Sequence, residues 1–262
     1  MNAERIASLS RAGVAVEVVL ETGSTNADLL ARAPQLPDPL LLVAEHQTAG
    51  RGRAGRSWLS SSENSLTFSL AWKFDGGPQR LSGLPLAVGV ALGDALALLG
   101  VRVELKWPND VLKDGAKLAG ILVETQSASV ERGGGTWAVI GIGLNLIMPD
   151  EVEARLGRSA AGAPWLARMD RDVLMAALLD ALADALRLFA HQGFGAFSAR
   201  WNLRHAWQGR PVVILDHGQV LQEGLAAGVD DSGRLLLDTA QGRVPVLAGD
   251  VSLRMKEFGG KE

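Results

Sequence analysis

Three arginines fall within six positions of one stretch, Gly50-Arg51-Gly52-Arg53-Ala54-Gly55-Arg56-Ser57-Trp58, and three glycines lie among them. A guanidinium presents a planar fork of donors that matches the oxygens of a phosphate or carboxylate. Glycine, lacking a Cβ, lets backbone N–H groups come close to an anion and permits positive φ. The ordinary alternative is a solvated Arg/Gly tail or an RNA-binding segment. Such runs usually repeat or sit at a terminus, whereas this one occurs once, soon after the apolar run Leu40 to Ala44. An anion-binding loop is the better reading. It is not a P-loop, because no Gly-Lys-Ser/Thr follows. Its letter match to GxGxxG lacks the strand–helix context that gives that pattern meaning. Like charges this dense repel one another, so the empty loop is expected to move and a polyphosphate to order it.

Two further segments mix charge with strand-forming sequence. Lys106-Trp107-Pro108-Asn109-Asp110 places a proline where only a strand start or bulge tolerates one. The chain is expected to bend there and present Asn109 and Asp110 at the end of a sheet, with Trp107 in the core. Asp110 reads equally as a turn cap or as a carboxylate for Mg²⁺ or a substrate group, since hard cations prefer oxygen ligands. Lys117 opens Lys117-Leu118-Ala119-Gly120-Ile121-Leu122-Val123-Glu124. It is either a solvated edge charge or, beside Gly120, a cation for a substrate carboxylate or phosphate. In Gly141-Ile142-Gly143-Leu144-Asn145 two glycines interrupt an apolar strand. That suggests close backbone approach with Asn145 as a polar contact, or a simple bulge.

The scaffold for these segments is of ordinary globular make. The chain has 262 residues, 47% hydrophobic and 21% charged, enough for one large domain with a real core and one small domain. A formal net charge of -3 argues against nucleic acid as a partner, because phosphate binding needs a positive excess. There is no cysteine, which excludes disulfides, a thiolate nucleophile and a Cys metal site, and fits a reducing cytoplasm. The histidines, His46, His191, His205 and His217, show no metal-ligand spacing. The first ten residues lack the apolar centre of a signal peptide. The apolar stretch from Leu81 to Gly100 is broken by Pro85 and Asp94 and reads as a buried helix, not a membrane span.

Strands are expected at Val14–Leu20, Leu40–Ala44 and Ser65–Trp72, and then at Val101–Lys106, Val111–Lys113, Lys117–Thr125 and Thr136–Ile147. Asp114-Gly115 signals a hairpin between two of these. Ser24-Thr25-Asn26 are cap residue types ahead of a helix through Arg32. Further helices are expected over Leu84–Leu99, closed by Gly100, from Asp170 along Leu174, Leu178, Leu182, Ala185 and Phe189, and over Phe194–Ala206. Residues 46 to 63 read as loop and 148 to 169 as irregular. After Gly209 short strands at Pro211–Leu215, Val220–Ala227, Arg234–Asp238 and Arg243–Val246 alternate with turns, which suggests a small β-barrel. The domains are expected at 1–208 and 209–262.

Taken together and in this order, the Ser24-Thr25-Asn26, Gln47 to Trp58, Lys106 to Asp110, Lys117 to Leu122 and Gly141 to Asn145 segments resemble the biotin–protein ligase family from about residue 15 onward. The resemblance implies an α+β fold: a mixed β-sheet flanked by helices, like a class II aminoacyl-tRNA synthetase core, with an SH3-like C-terminal barrel. It implies a biotin pocket of Ser24, Thr25, Asn26 and Gln47, extended by Arg51, Gly52, Arg53, Lys117 and Gly120. ATP or its adenylate would meet Arg53, Arg56, Trp58, Lys106, Asn109, Lys117, Asn145 and Arg254, with Asp110 near the metal and phosphates. Trp165 lies where the family has an adenine-covering loop. Lys117, Arg51, Arg53 and Asp110 would be the catalytic set, with Mg²⁺ brought with ATP.

The implied reaction makes biotinyl-5′-AMP from biotin and ATP, then passes biotin to a lysine of a biotin carboxyl carrier domain. Dimers are common in the family. About a dozen residues precede the first strand, too few for the DNA-binding domain that some members carry, so an enzyme without repressor function is expected. Three rivals stand beside it: a lipoyl ligase, a non-catalytic biotin- or nucleotide-binding module, and an RNA-binding protein using the Arg/Gly loop.

Overall fold

The computed structural model describes residues 1–128, 133–148, 160–216, 218–249 and 251–256. Its first sheet has seven strands: β1 (Ala15–Thr22), β2 (Leu40–Gln47), β3 (Ser65–Phe74), β4 (Glu104–Lys106), β5 (Asp110–Lys113), β6 (Ala116–Ser127) and β7 (Thr136–Asn145). They lie in the order β1-β2-β3-β7-β6-β5-β4; β1 and β2 are parallel and every other pairing is antiparallel. The sheet is therefore mixed, as expected. The β5–β6 turn uses Asp114 and Gly115 at φ 51° and 78°, the paired left-handed backbone that a two-residue hairpin turn of the Asp-Gly kind demands.

One face of this sheet carries α1 (Ala3–Leu9), α3 (Leu84–Leu98), α5 (Arg171–Gln192) and α6 (Gly195–Asn202); α2 (Thr25–Arg32) lies on the other. Helix α3 is apolar at every position but Asp94, which pairs with Arg200 and Arg204, and it buries eleven residues, because it is wedged between the sheet and α5. By length and composition the helical segment 78–98 would span a membrane, but 67% of its most apolar window is buried in this fold. The α3 end is a Schellman motif: Gly100 has φ 80°, its N–H bonds Ala97 O, and Val101 N–H bonds Leu96 O at 2.8 Å. Val101 thus belongs to the cap, and the strand expected from Val101 begins only at Glu104.

A second, antiparallel sheet is built from β8 (Pro211–Asp216), β9 (Gln219–Val229), β10 (Leu235–Thr239), β11 (Gly242–Val246) and β12 (Ser252–Met255), in the order β11-β10-β9-β8-β12. Strand β12 went unrecognised in the sequence, as did α1, whose Asn2 cap and buried Ile6 dock it on α5. The second helix expected over Phe194–Ala206 stops at Asn202; beyond it Leu105 of β4 donates its N–H to Arg204 O at 2.7 Å and accepts from Ala206 N–H at 3.0 Å, a parallel bridge to His205. Between 160 and 169 the expected irregular chain contains a short helix, α4 (Pro164–Ala167). One apolar cluster runs without interruption from the seven-stranded sheet into Val212, Ile214, Leu235, Leu237 and Leu253 of the second sheet. The second sheet is thus anchored close enough to contribute to a site on the first.

Candidate active site

Ser24 caps α2 by accepting from Ala27 N–H, so the first helical turn projects Thr25 and Asn26 over the sheet. All three are buried, at 5%, 3% and 3% exposure. Gln47, at the end of β2, accepts from the Thr25 N–H through Oε1 at 2.9 Å. Ser69 of β3 lies 2.6 Å from Thr25 Oγ1 and donates to Asn26 Oδ1 at 2.7 Å. Asn26 Nδ2 donates to Glu124 Oε2 at 2.9 Å. This packing needs Gly141, because a Cβ there would overlap the Asn26 amide. The close approach that the glycines of β7 suggested is thus made by the protein's own side chains: Asn26 over Gly141, and the Trp58 ring over Gly143.

Cations gather on the other side of the cleft. Lys117 Nζ and Lys106 Nζ both pair with the Asp110 carboxylate, the latter at 3.6 Å, and the three side chains are only 12–18% exposed. Lys117 is therefore no solvated edge charge. Its strand start is pinned by Ala161 N–H, which donates to Lys117 O at 2.8 Å, and by Asn145 Nδ2 at 3.3 Å. Lys106 also sits 4.6 Å from the centroid of the Trp207 ring. Burial lowers its pKa to about 8; Asp110 raises it, while Arg254 and Lys117 lower it further. Arg254, on β12, lines the same cleft.

The arginine segment folds as a small hairpin over the opening. Arg51 and Ser57 form a bridge, Trp58 N–H donates to Gly50 O at 2.9 Å, and Ala54 and Gly55 turn the tip at φ 52° and 69°. Gly50 serves this crossing, since a Cβ would strike the Trp58 carbonyl. The repulsion expected among the arginines is relieved by acceptors: Arg51 pairs with Glu124 at 2.6 Å, and Arg53 donates to Asn109 Oδ1 at 3.2 Å and to Gly249 O. Asn109 in turn donates to Ile121 O at 2.8 Å. The Trp58 indole lies against Gly143 and Gly120 with Lys117 Nζ 5.7 Å from the ring centroid, and its buried Nε1 has no hydrogen-bond partner.

One cleft joins these groups. Ser24, Thr25, Asn26, Gln47, Arg51, Gly52, Arg53 and Arg56 line it, as do Trp58, Lys106, Asn109, Asp110, Lys117, Gly120 and Arg254. Asn145 faces a second cleft on the far side of the arginine hairpin, and the exposed Trp165 on α4 lines neither. Trp107 is wholly buried, with its indole donating to Gly233 O, as core packing required. Sequence reasoning missed Ser69 and Glu124. The alternation Ser65, Thr67, Ser69 against Leu66, Phe68, Leu70 carried a usable signal: hydroxyls with strict period two inside an otherwise apolar strand mark a buried polar face.

Among the described residues no group of three or more His, Asp or Glu side chains is arranged to hold a metal ion. The Asp110 carboxylate is engaged by two ammonium groups, which does not suit a metal ligand.

The Biotin/lipoate A/B protein ligase family model matches residues 17–145 and the Biotin protein ligase C terminal domain model matches 209–254. The bifunctional ligase/repressor BirA of Escherichia coli is 35% identical over 98% of this chain and 79% of its own length. The biotin–[acetyl-CoA-carboxylase] ligase of Mycobacterium tuberculosis is 40% identical over 90% of this chain and 88% of its own. A biotin protein ligase from Aquifex aeolicus, solved with biotin and ATP, superposes with a TM-score of 0.76 at 28% identity, covering 92% of this chain and 99% of that one. With the family models at both ends and a relative at 40% identity over most of either chain, this chain belongs to the biotin–protein ligase family.

Proposed function

We infer that the protein is a biotin–[acetyl-CoA-carboxylase] ligase, which activates biotin with ATP to biotinyl-5′-AMP and then transfers biotin to a lysine of a biotin carboxyl carrier domain. The observation that carries this reading is the single cleft joining a neutral hydrogen-bonded floor to a rim of lysines and arginines. The floor, Ser24 to Asn26 with Gln47, takes the neutral ring system of biotin. The rim takes its carboxylate and the phosphates of ATP.

In the first step the biotin carboxylate attacks the α-phosphate and pyrophosphate leaves. The two reactants are both anions, so the protein's work is to hold them together and stabilise the charge that develops on phosphorus. Lys117 stands where the carboxylate and the α-phosphate meet, and Arg51 and Arg53 close over them. Asp110 holds the Lys106 and Lys117 ammonium groups in register, and Arg254 with Lys106 faces the polyphosphate. ATP enters with its own magnesium as MgATP, since Asp110 is taken up by the two lysines. In the second step the carrier amine attacks the mixed anhydride and AMP leaves. Water would destroy that anhydride, and the arginine hairpin, tied through Arg53 to Asn109 and Gly249, serves as the cover that excludes it. Neither step needs a side-chain nucleophile, in keeping with a chain that has no cysteine.

At the level of architecture, the same reading makes the seven-stranded sheet a class II synthetase-like core within residues 1–208 and the five-stranded sheet an SH3-like unit within 209–262. Incubation with ATP, Mg²⁺, biotin and a biotin-carrier domain, followed by intact mass measurement, tests it. The carrier should gain a single biotin, and biotin should drive ATP–pyrophosphate exchange. An unmodified carrier with no biotin-dependent exchange would overturn the reading, and exchange with lipoate alone would move the protein to the lipoyl branch of the family.

A further inference from the structure

The hydrogen-bond network under α2 ends on a residue to which the chemistry above gives no task. Glu124 shares a face of β6 with Gly120 and Leu122, and its side chain is only 20% exposed. One carboxylate oxygen pairs with Arg51 at 2.6 Å and the other accepts from Asn26 Nδ2 at 2.9 Å. An ionised carboxylate only accepts hydrogen bonds, so the amide nitrogen of Asn26 must face it and Oδ1 must face Ser69. That oxygen also only accepts, which commits the single Ser69 proton. With its proton spent, Ser69 can only accept from Thr25, 2.6 Å away. Thr25 therefore gives its proton to Ser69 and offers lone pairs to the cleft. Gln47 Oε1 accepts the Thr25 backbone N–H and, at 3.1 Å, is a second and longer acceptor for the same hydroxyl; with either partner taking its proton, Thr25 has only lone pairs left for the cleft. Hydroxyl rotors and amide orientations are otherwise free choices; here each link constrains the next, starting from two groups that can only accept from Asn26 Nδ2, the Glu124 carboxylate at 2.9 Å and, more weakly, the Leu122 carbonyl at 3.4 Å.

We propose that Glu124 is a positioning residue that sets the donor–acceptor polarity of the biotin pocket through Asn26, Ser69 and Thr25, so that the Thr25 hydroxyl meets the ligand as an acceptor. The inference rests on the ligase reading, because the ring urea of biotin carries N–H donors that require such an acceptor. A Thr25 hydroxyl turned the other way would face them donor to donor. Glutamine at 124 keeps the size of the side chain but can present either an oxygen or an N–H, which leaves only the longer contact to Leu122 O, at 3.4 Å, to orient Asn26.

The test measures biotin KM, ATP KM and kcat for ATP–pyrophosphate exchange in the parent, Glu124→Gln, Ser69→Ala and the double variant. Each single variant is expected to raise biotin KM about tenfold, the size of one buried hydrogen bond lost or reversed, with kcat and ATP KM near the parent's. Since both act on one relay, the double variant should also stand near tenfold and not near a hundredfold. Ser69 does not touch Arg51, so its variant separates the relay from the ion pair. Parental biotin KM in Glu124→Gln, a loss confined to kcat, or multiplying effects in the double variant would overturn the proposal. Should Glu124→Gln fail to fold, parental biotin KM in Ser69→Ala overturns it alone. A parent that shows no biotin-dependent exchange overturns the ligase reading first and this inference with it.

Discussion

Ser24, Thr25 and Asn26 are each at most 5% exposed and are locked by short hydrogen bonds, the one from Asn26 reaching the Glu124 carboxylate, whereas the Arg51 side chain across the same cleft is 48% exposed and is held by an ion pair to that same Glu124. The two ends respond differently to a ligand. The Arg51 end of that pair is open to solvent, so its guanidinium can turn from Glu124 to a ligand anion at modest cost while Glu124 keeps the bond from Asn26. A buried donor or acceptor left without its partner costs about 1–3 kcal/mol, so the floor cannot rearrange to suit a different ring. Identity is read by the rigid end and charge is handled by the adaptable one. Lys117 lies between them, pinned by its backbone yet paired through its side chain.

The largest expected effect therefore falls at Lys117. Lys117→Ala should lower biotin-dependent ATP–pyrophosphate exchange by about 10²–10³-fold, as loss of a preorganised charge at a developing anion does; a near-normal rate would remove Lys117 from the chemistry. Next comes the floor. Gly141→Ala forces the Asn26 amide to move, and a displacement of that kind should reduce kcat/KM for biotin by roughly 10²-fold while ATP KM changes little. If both substrates suffer alike, floor and rim are not separate functions.

At the rim, Arg53→Ala cuts the tie to Asn109 and Gly249, and adenylate should escape about tenfold faster, a loss of about 1.4 kcal/mol of retention. The readout is biotin appearing on lysines of a protein with no carrier domain; retention as tight as the parent's would refute the cover. The smallest effect is a pH dependence. With a pKa of about 8 in place of 10.5, Lys106 loses its charge as the pH rises through 8, so kcat/KM for ATP should decline there by a few-fold and Lys106→Arg should flatten the decline. Stability should move the opposite way. Between 8 and 10.5 the unfolded chain holds the proton that the folded chain has released, so the parent should gain stability relative to Lys106→Met.

Much of this site was legible because its elements announce themselves locally. The Ser24 cap, the Asp114-Gly115 turn and the Gly100 helix end follow from side-chain and backbone chemistry within a few residues, and the structure has all three. The family resemblance implied a shared pocket for Arg51, Arg53 and Lys117, and all three line one cleft. What lay hidden depends on contacts distant in sequence. Glu124 meets Arg51 across 73 positions and Asn26 across 98, and no local pattern encodes either partner. Asp110 reads as a lone carboxylate until the β5–β6 pairing brings Lys117 back beside it. Strand β12 is only four residues long and announces itself only by its register against β8.

The most direct test of the claim that floor and rim hold one intermediate is a crystal structure with a non-hydrolysable biotinyl-AMP analogue. The expected result has the ring against Thr25 and Asn26 and the acyl-phosphate within hydrogen-bond distance of Lys117 Nζ and of Arg51 or Arg53. An analogue bound with its phosphate away from Lys117, or seated in the cleft beyond the arginine hairpin that Asn145 faces, would contradict it.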